Sequence, residues 1–399
     1  MLPLSKRIES MQASPIRKLV PYSDRAKERG IGVYHLNIGQ PDIETPPAFF
    51  DAVKNFDEPV VSYMHSGGLP QLKEAVATYY QGLNYPYQAK DILITTGGSE
   101  ALSFAITAVC DPSDSILIPE PFYTNYNGFS EASGVRVIPI PTSFEDGFRL
   151  PTLEVITSLV GPNTKAILLN NPANPTGLVI SKQELHTVKT LALEHGLFII
   201  MDEVYREFIY DGEFNTLAVD HEINQQVIVI DSVSKRFSAC GARIGSVASL
   251  HPTIISNMLK MGQSRLSVAT LEQVAAVELY RLPYSYFVGV REEYKQRRDI
   301  VMNELGAVND IKIRTPQGAF YVMADIGVDS ESFAIWMLES FHQNQQTVMV
   351  APGSGFYATP GKGSTEIRIA YVIGGEKLRH ACQILVAGLT KFKVDSTAR

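Results

Sequence analysis

The sequence predicts an α/β fold built on a mainly parallel sheet wrapped by helices. Three observations carry this prediction. Short apolar runs recur along the chain: Asp91-Ile92-Leu93-Ile94, Ala166-Ile167-Leu168-Leu169, Leu197-Phe198-Ile199-Ile200-Met201 and Val227-Ile228-Val229-Ile230. They have the length and β-branched content of buried strands. Helical stretches alternate with them across residues 91–244. The far ends of the last three runs carry polar groups, and ligands in open α/β sheets bind outside the carboxyl ends of strands.

The first run leads into Thr96-Gly97-Gly98-Ser99-Glu100-Ala101 and an amphipathic stretch over 101–109, which reads as strand, glycine turn, helix. Backbone N–H groups at a helix start favour phosphate, and glycines let the backbone come close. The second run ends in Asn171-Pro172-Ala173-Asn174-Pro175-Thr176-Gly177. Residues 182–194 then predict a helix, with Ser181 as N-cap and Gly196 closing it. The third run ends in Asp202-Glu203-Val204-Tyr205, and the fourth in Ser232-Val233-Ser234-Lys235, with Arg243 further on. A long periodic stretch over 284–305 carries Arg291, Glu292, Glu293, Lys295, Arg297 and Arg298, expected to form a solvated face.

A lysine just past a buried strand, with hydroxyls before it and an arginine after it, suits a phosphate-bearing aldehyde. The aldehyde could form a Schiff base with Lys235, while Ser232, Ser234 and Arg243 hold the phosphate. That points to pyridoxal phosphate (PLP). Its pyridine ring withdraws electrons best when the nitrogen is protonated, which a carboxylate partner enforces, and Asp202 can serve. Asn174 and Tyr205 can donate hydrogen bonds to the ring hydroxyl. A freed Lys235 amine can move a proton as general base and acid.

These segments, in this order and spacing, resemble the fold-type I, class I aminotransferases. The resemblance runs from Gly39-Gln40-Pro41-Asp42 to Arg368, nearly the whole chain. Ser234-Lys235-Arg236-Phe237-Ser238-Ala239-Cys240-Gly241-Ala242-Arg243-Ile244-Gly245 is similar to a bacterial branch usually labelled aspartate aminotransferase. The resemblance implies a seven-stranded, mainly parallel sheet in a large domain plus a smaller α/β domain. It implies an N-terminal arm at 1–46 that also forms part of the small domain, a large PLP-binding domain at 47–288 and a small C-terminal domain at 289–399. The helix over 284–305 would bridge the two domains. The small domain would hold 312–326 as a hairpin and 346–351 and 366–371 as strands. Gly98 and Ser99 would join the phosphate cup, and Tyr123 would stack on the ring. Tyr63 would reach the phosphate of a neighbouring subunit, so the active site would be shared in a homodimer. Arg368 would form a fork with the substrate α-carboxylate, which suits guanidinium geometry, and the Gly39 backbone would lie beside that carboxylate.

Composition sets limits. A chain of 399 residues with 45% hydrophobic and 19% charged residues is long enough for two domains and is globular in character. Its net charge of −7 argues against a nucleic-acid surface. Cys110, Cys240 and Cys382 are spaced for neither a disulfide framework nor a zinc site, and packing is their expected role. Residues 1–7 lack the apolar core of a signal peptide, and no apolar run approaches membrane-spanning length. A cytoplasmic enzyme is the expectation.

Substrate choice rests on fewer residues. A pocket that accepts 2-oxoglutarate needs a second cation, ideally an arginine. One aspartate-using subgroup places a lysine after the phosphate-loop glycines, where this chain has Ser99 and then Glu100. Arg17, in the arm that closes over the pocket in relatives, and Arg265, in a segment that reaches the partner's site, are the substitutes. The reading favours aspartate as donor and 2-oxoglutarate as acceptor. Alanine or aromatic donors, a carbon–sulfur β-lyase or a racemase would use the same cofactor residues. A PLP-binding transcriptional regulator would need a DNA-binding domain ahead of the Gly39 loop.

Overall fold

The computed structural model describes residues 2–12 and 14–397. Met1 and Ala13 of the expected N-terminal arm, and Ala398 and Arg399 of the expected C-terminal region, lie outside the described residues.

Seven strands form the main sheet: β1 (Ile92–Thr96), β2 (Ser115–Glu120), β3 (Arg136–Pro141), β4 (Thr164–Asn170), β5 (Phe198–Asp202), β6 (Val227–Ser232) and β7 (Ile244–Ala248). Their order is β1-β7-β6-β5-β4-β2-β3. All neighbours are parallel except β7, which is antiparallel to both β1 and β6. Successive side chains point to opposite faces. Ile199, Met201, Val227 and Val229 join one hydrophobic cluster, and Ile200, Ile228 and Ile230 join another. A sheet covered on both faces explains why these strands read as continuous apolar runs rather than alternating ones.

Register brings the polar ends together. Asn170 lies opposite Asp202, Ser232 opposite Gly245, and Thr96 opposite Ile244. All four polar ends therefore reach one edge of the sheet. The helix Gly97–Val109 starts directly at the end of β1. The helix Lys182–His195 between β4 and β5 has the expected ends. Ser181 and Glu184 form a reciprocal capping box, and Gly196 closes the helix in the left-handed conformation.

A third hydrophobic cluster gathers around a four-stranded antiparallel sheet. Its strands run Ala351–Pro352, Glu366–Ala370, Tyr321–Asp325, Lys312–Ile313. Lys312–Ile313 and Tyr321–Asp325 make the expected hairpin. The N-terminal strand Gly32–His35 pairs in parallel with Gln346–Met349. Two expectations need correction here. Residues 346–351 are not one strand: Gln346–Met349 pairs with the N-terminal strand, whereas Ala351–Pro352 pairs with Arg368 and Ile367, so the chain changes sheets at Val350.

The second correction concerns the helix Ser285–Gly306, whose charges do not all face solvent. Arg297 and Arg298 are each only 5% exposed. Arg297 donates to Asp42 at 2.6 Å, Glu293 at 2.7 Å and the carbonyl of Val372 at 2.7 Å. Arg298 is held by Asp211, Asp299 and the carbonyl of Pro316. These partners come largely from distant segments, so they neutralise a charge that helical spacing alone would leave to water.

Backbone proximity at the sheet edge is tight. A Cβ on Gly245 would meet the carbonyl carbon of Gly97 at 2.4 Å. Gly97 has φ +71°, and a Cβ there would strike the Arg243 guanidinium at 2.5 Å. Gly245→Ala should therefore cost about 1–3 kcal/mol in urea unfolding. Gly241→Ala, whose Cβ would enter open space, should stay within about 0.5 kcal/mol of wild type.

Candidate active site

The polar strand ends open on a cavity of about 360 Å³. Asp202 stands at the end of β5 and is 5% exposed. Its Oδ2 accepts from the Tyr126 hydroxyl at 2.7 Å, and its Oδ1 accepts from the Val204 N–H at 3.3 Å. Burial pushes the carboxyl up to about 6, against the opposing pull of those two hydrogen bonds. No ion pair neutralises it among the described residues.

Lys235 lies in the short helix Val233–Arg236 that follows β6, and its Nζ donates to the carbonyl of Gly39 at 2.9 Å. Ser232 and Ser234 hydroxyls sit 2.8 Å apart, and Ser232 Oγ also donates to the Ile244 carbonyl at 3.0 Å. Arg243 is exposed, holds the left-handed conformation at φ 52°, and donates to the Cys240 carbonyl at 3.2 Å. With Gly98 and Ser99 at the start of a 13-residue helix, these groups line the same cavity. Hydroxyls, a guanidinium and helix-start N–H groups make a donor set suited to a phosphate dianion.

Arg368 is 2% exposed. Its Nη1 donates to Asn174 Oδ1 at 3.0 Å, and its Nη2 donates to the Asn37 carbonyl. Its Nε is buried with no hydrogen-bond partner. The guanidinium lies over the rings of Tyr321 at 4.6 Å and Phe356 at 4.8 Å. Burial lowers its proton affinity, because no carboxylate faces it. A buried cation with a free donor, open to a cavity, is poised for an anionic group.

Tyr205 and Tyr321 hydroxyls lie 2.9 Å apart. Burial, with Tyr321 beside it, holds the Tyr205 phenol well above its usual range, so it stays a donor. Burial pushes the Tyr123 phenol up to about 12, and it accepts a hydrogen bond from Asn125 at 2.8 Å. A Cβ on Gly39 would collide with the Tyr321 hydroxyl at 1.7 Å, so only glycine lets this loop lie against Tyr321.

The structure thus brings Gly39, Gly98, Ser99, Tyr123, Asn174, Asp202, Tyr205, Ser232, Ser234, Lys235, Arg243 and Arg368 around one cavity, with Arg17 at its lining. Tyr63 and Arg265 are not part of that lining. Tyr63 is 78% exposed. Arg265 pairs with Glu100 at 3.2 Å and donates to the carbonyl of Ile94. Sequence reading missed Tyr126 and Tyr321, which read as ordinary aromatics, although Tyr126 lies one helical turn from Tyr123. It also assigned Cys240 to packing, whereas Cys240 lines the cavity and its Sγ donates to the Ser234 carbonyl at 3.1 Å.

The residues fit PLP. The cavity presents an unpaired buried carboxylate for a ring N–H, a donor cup for a phosphate, and an unpaired buried guanidinium for a substrate carboxylate. Comparison with known proteins agrees. Residues 31–385 match the family model for aminotransferase class I and II. The chain is 30% identical over 376 residues to an aspartate aminotransferase of Bacillus sp. (strain YM-2), covering 92% of this chain and 94% of that one. It is 30% identical over 389 residues to aromatic-amino-acid aminotransferase 2 of Thermococcus litoralis, covering 95% of this chain and 96% of that one. Alanine aminotransferase from Pyrococcus furiosus superimposes with a TM-score of 0.89 at 28% identity, covering 98% of this chain and all of the other. Fold, cavity and relatives converge: this chain belongs to the class I and II aminotransferases, PLP-dependent enzymes that pass an amino group between an amino acid and a 2-oxo acid.

Proposed function

We propose that this aminotransferase takes its amino group from a dicarboxylic donor, aspartate first, and passes it to 2-oxoglutarate. The observation that carries this reading is Arg17. It lines the same cavity as Arg368, it is exposed, and no ion pair engages its guanidinium among the described residues. One arginine is then available for each carboxylate of the substrate. The name of the Bacillus relative supports aspartate. A second reading, an apolar amino donor, is favoured by Ile16, Val20 and Ile38 in the same lining. The names of the Thermococcus and Pyrococcus proteins support that alternative.

Bound PLP supplies an electron-withdrawing pyridine ring that stabilises negative charge at the substrate α-carbon. Asp202 keeps the ring nitrogen protonated, and Tyr126 and the Val204 N–H keep Asp202 oriented. Tyr205 and Asn174 would donate to the ring hydroxyl, and Tyr123 would pack against the ring. Ser232, Ser234, Arg243, Gly98 and Ser99 hold the phosphate. Arg368, with Gly39 beside it, grips the α-carboxylate and presents the α-hydrogen. Lys235 Nζ is the group that would move this proton between the substrate α-carbon and the cofactor carbon, in opposite directions in the two half-reactions. A second copy of the chain adds Tyr63 to the phosphate cup and Arg265 near the substrate, so the working unit is a homodimer. The chain divides in this reading into the arm at 1–46, the large domain at 47–288 and the small domain at 289–399.

Lys235→Ala should bind PLP more weakly and lose at least about 10³-fold in turnover, as measured by steady-state transamination. Substantial residual turnover would remove Lys235 from this role. Arg17→Ala should lower kcat/KM about tenfold or more for aspartate, while alanine and phenylalanine change by less than about twofold. Equal losses for all donors would favour the apolar reading.

Asp202 also sets a pH dependence. In cofactor-free protein its carboxyl is raised to about 6. A raised carboxyl contributes folded-state stability that is present below its ordinary range and lost as pH rises through about 6, a change of roughly 3 kcal/mol. Cofactor-free wild type should therefore lose stability relative to Asp202→Asn between about pH 4 and pH 6.5 in urea unfolding. Loading with PLP, which brings a cation to the carboxylate, should flatten that difference.

A further inference from the structure

Next to the cavity lies a set of charges that the chemistry above does not use. Asp231 is the penultimate residue of β6, fully buried, one position before Ser232. Its Oδ1 accepts the Ser232 N–H at 2.7 Å. The same oxygen pairs with Arg236, the residue after Lys235. Its Oδ2 pairs with Arg206 at 3.0 Å, on the turn that follows Tyr205. Arg206 also lies 3.5 Å from Glu203, the residue after Asp202. Glu203 accepts from Tyr85 at 2.7 Å and from Thr216 at 2.6 Å. The quartet holds two carboxylates and two guanidinia, and none of the four is more than 4% exposed.

Aromatic rings keep the guanidinia in place. Arg206 lies 4.8 Å from the Tyr80 ring centre and 5.2 Å from that of Tyr85. Arg236 lies 4.7 Å from that of Tyr79. Buried ion pairs add little stability over apolar packing of the same volume. Where they hydrogen-bond they impose direction, as Asp231 Oδ1 does with the Ser232 N–H and Arg236, while its Oδ2 meets Arg206 as an ion pair without a hydrogen bond. Here a single carboxylate touches three segments, and each carries a residue of the proposed site: Ser232 of the cup, the Asp202–Tyr205 turn, and Lys235.

We propose that Asp231 is a positioning residue: through Ser232, Arg206 and Arg236 it sets where the phosphate cup, the Asp202–Tyr205 turn and Lys235 stand relative to one another. The proposal rests on the roles given above to Lys235 and Asp202. Misplacement of reacting groups by about 1 Å can cost about 10²-fold in rate without loss of binding. Loosening this carboxylate should act in that way, on rate more than on affinity.

The test compares PLP-loaded wild type, Asp231→Asn, Arg236→Met and the double variant in single-turnover half-reactions. L-Aspartate is the donor, or L-phenylalanine if wild type does not convert with aspartate. Asn keeps the Oδ1 acceptor for the Ser232 N–H, removes the charge and turns an amide NH2 toward Arg206 in place of the carboxylate oxygen. Folded Asp231→Asn should lose about 10²-fold in the half-reaction rate, with less than about threefold change in the donor concentration giving half-maximal rate. The induced circular dichroism of bound PLP should fall. The double variant should lose no more than the worse single variant, as expected of groups acting as one unit. If Asp231→Asn does not fold, Arg236→Met, which leaves Asp231 its Arg206 partner, carries the same test. A folded variant that keeps its rate within about threefold, or loses only thermal stability, overturns the proposal. Failure of wild type to convert either donor, or undiminished conversion by Lys235→Ala run alongside, would instead overturn the underlying reading of the site.

Discussion

The Asp202 carboxylate and the Arg368 guanidinium are both nearly closed to water, and neither has a partner of opposite charge among the described residues. Burying a charge without an ionic partner is costly, and folded chains generally avoid it. Here both charges are kept, both line one cavity, and each is held in one orientation by neutral donors or acceptors. A ligand that brings the opposite charges would stabilise that arrangement. In the proposed reading a protonated ring nitrogen would answer the carboxylate, and a substrate carboxylate would answer the guanidinium. The remaining architecture serves to place these two groups on opposite sides of one small molecule. The parallel sheet aligns its strand ends, and the second sheet carries Arg368 across to them.

The proposed phosphate cup depends on how closely backbones approach. Gly245 on β7 lies against the Gly97–Gly98 peptide, and Gly97 makes room for Arg243. Gly98 itself meets only ordinary contacts, so its proposed place in the cup does not rest on steric necessity. The order of strands explains why this works. β7 is the one antiparallel strand, so its beginning, with Arg243 just before it, falls at the same edge as the ends of β1 and β6.

Much of this was legible in the sequence because it is local. The buried strands were visible as apolar runs, the helix Lys182–His195 through its caps, and most of the cavity lining through strand ends followed by polar groups. Three kinds of feature were not legible. Arg297 and Arg298 look like solvent-facing charges on a periodic helix, and only tertiary partners such as Asp42 and Asp211 show otherwise. Tyr126 and Tyr321 carry no spacing that separates a hydrogen-bonded tyrosine from a packed one. Asp231 reads as a polar interruption near a strand end, because Arg206 is distant in sequence and the pairing of Asp231 with Arg236 depends on the turn at Lys235. Interactions that depend on two or more segments meeting in space leave no periodic trace in one chain.

The most direct test of the account is a single-turnover absorbance scan of PLP-loaded protein with L-aspartate, L-glutamate, L-alanine and L-phenylalanine added separately and no oxo acid present. The account predicts conversion of the coloured cofactor to its amino form, fastest with aspartate and reversed by 2-oxoglutarate. Conversion mainly with alanine or phenylalanine would contradict the two-arginine reading of the substrate pocket. No conversion with any donor, accompanied by pyruvate and ammonia from a β-substituted amino acid, would contradict transamination itself as the reaction of this chain.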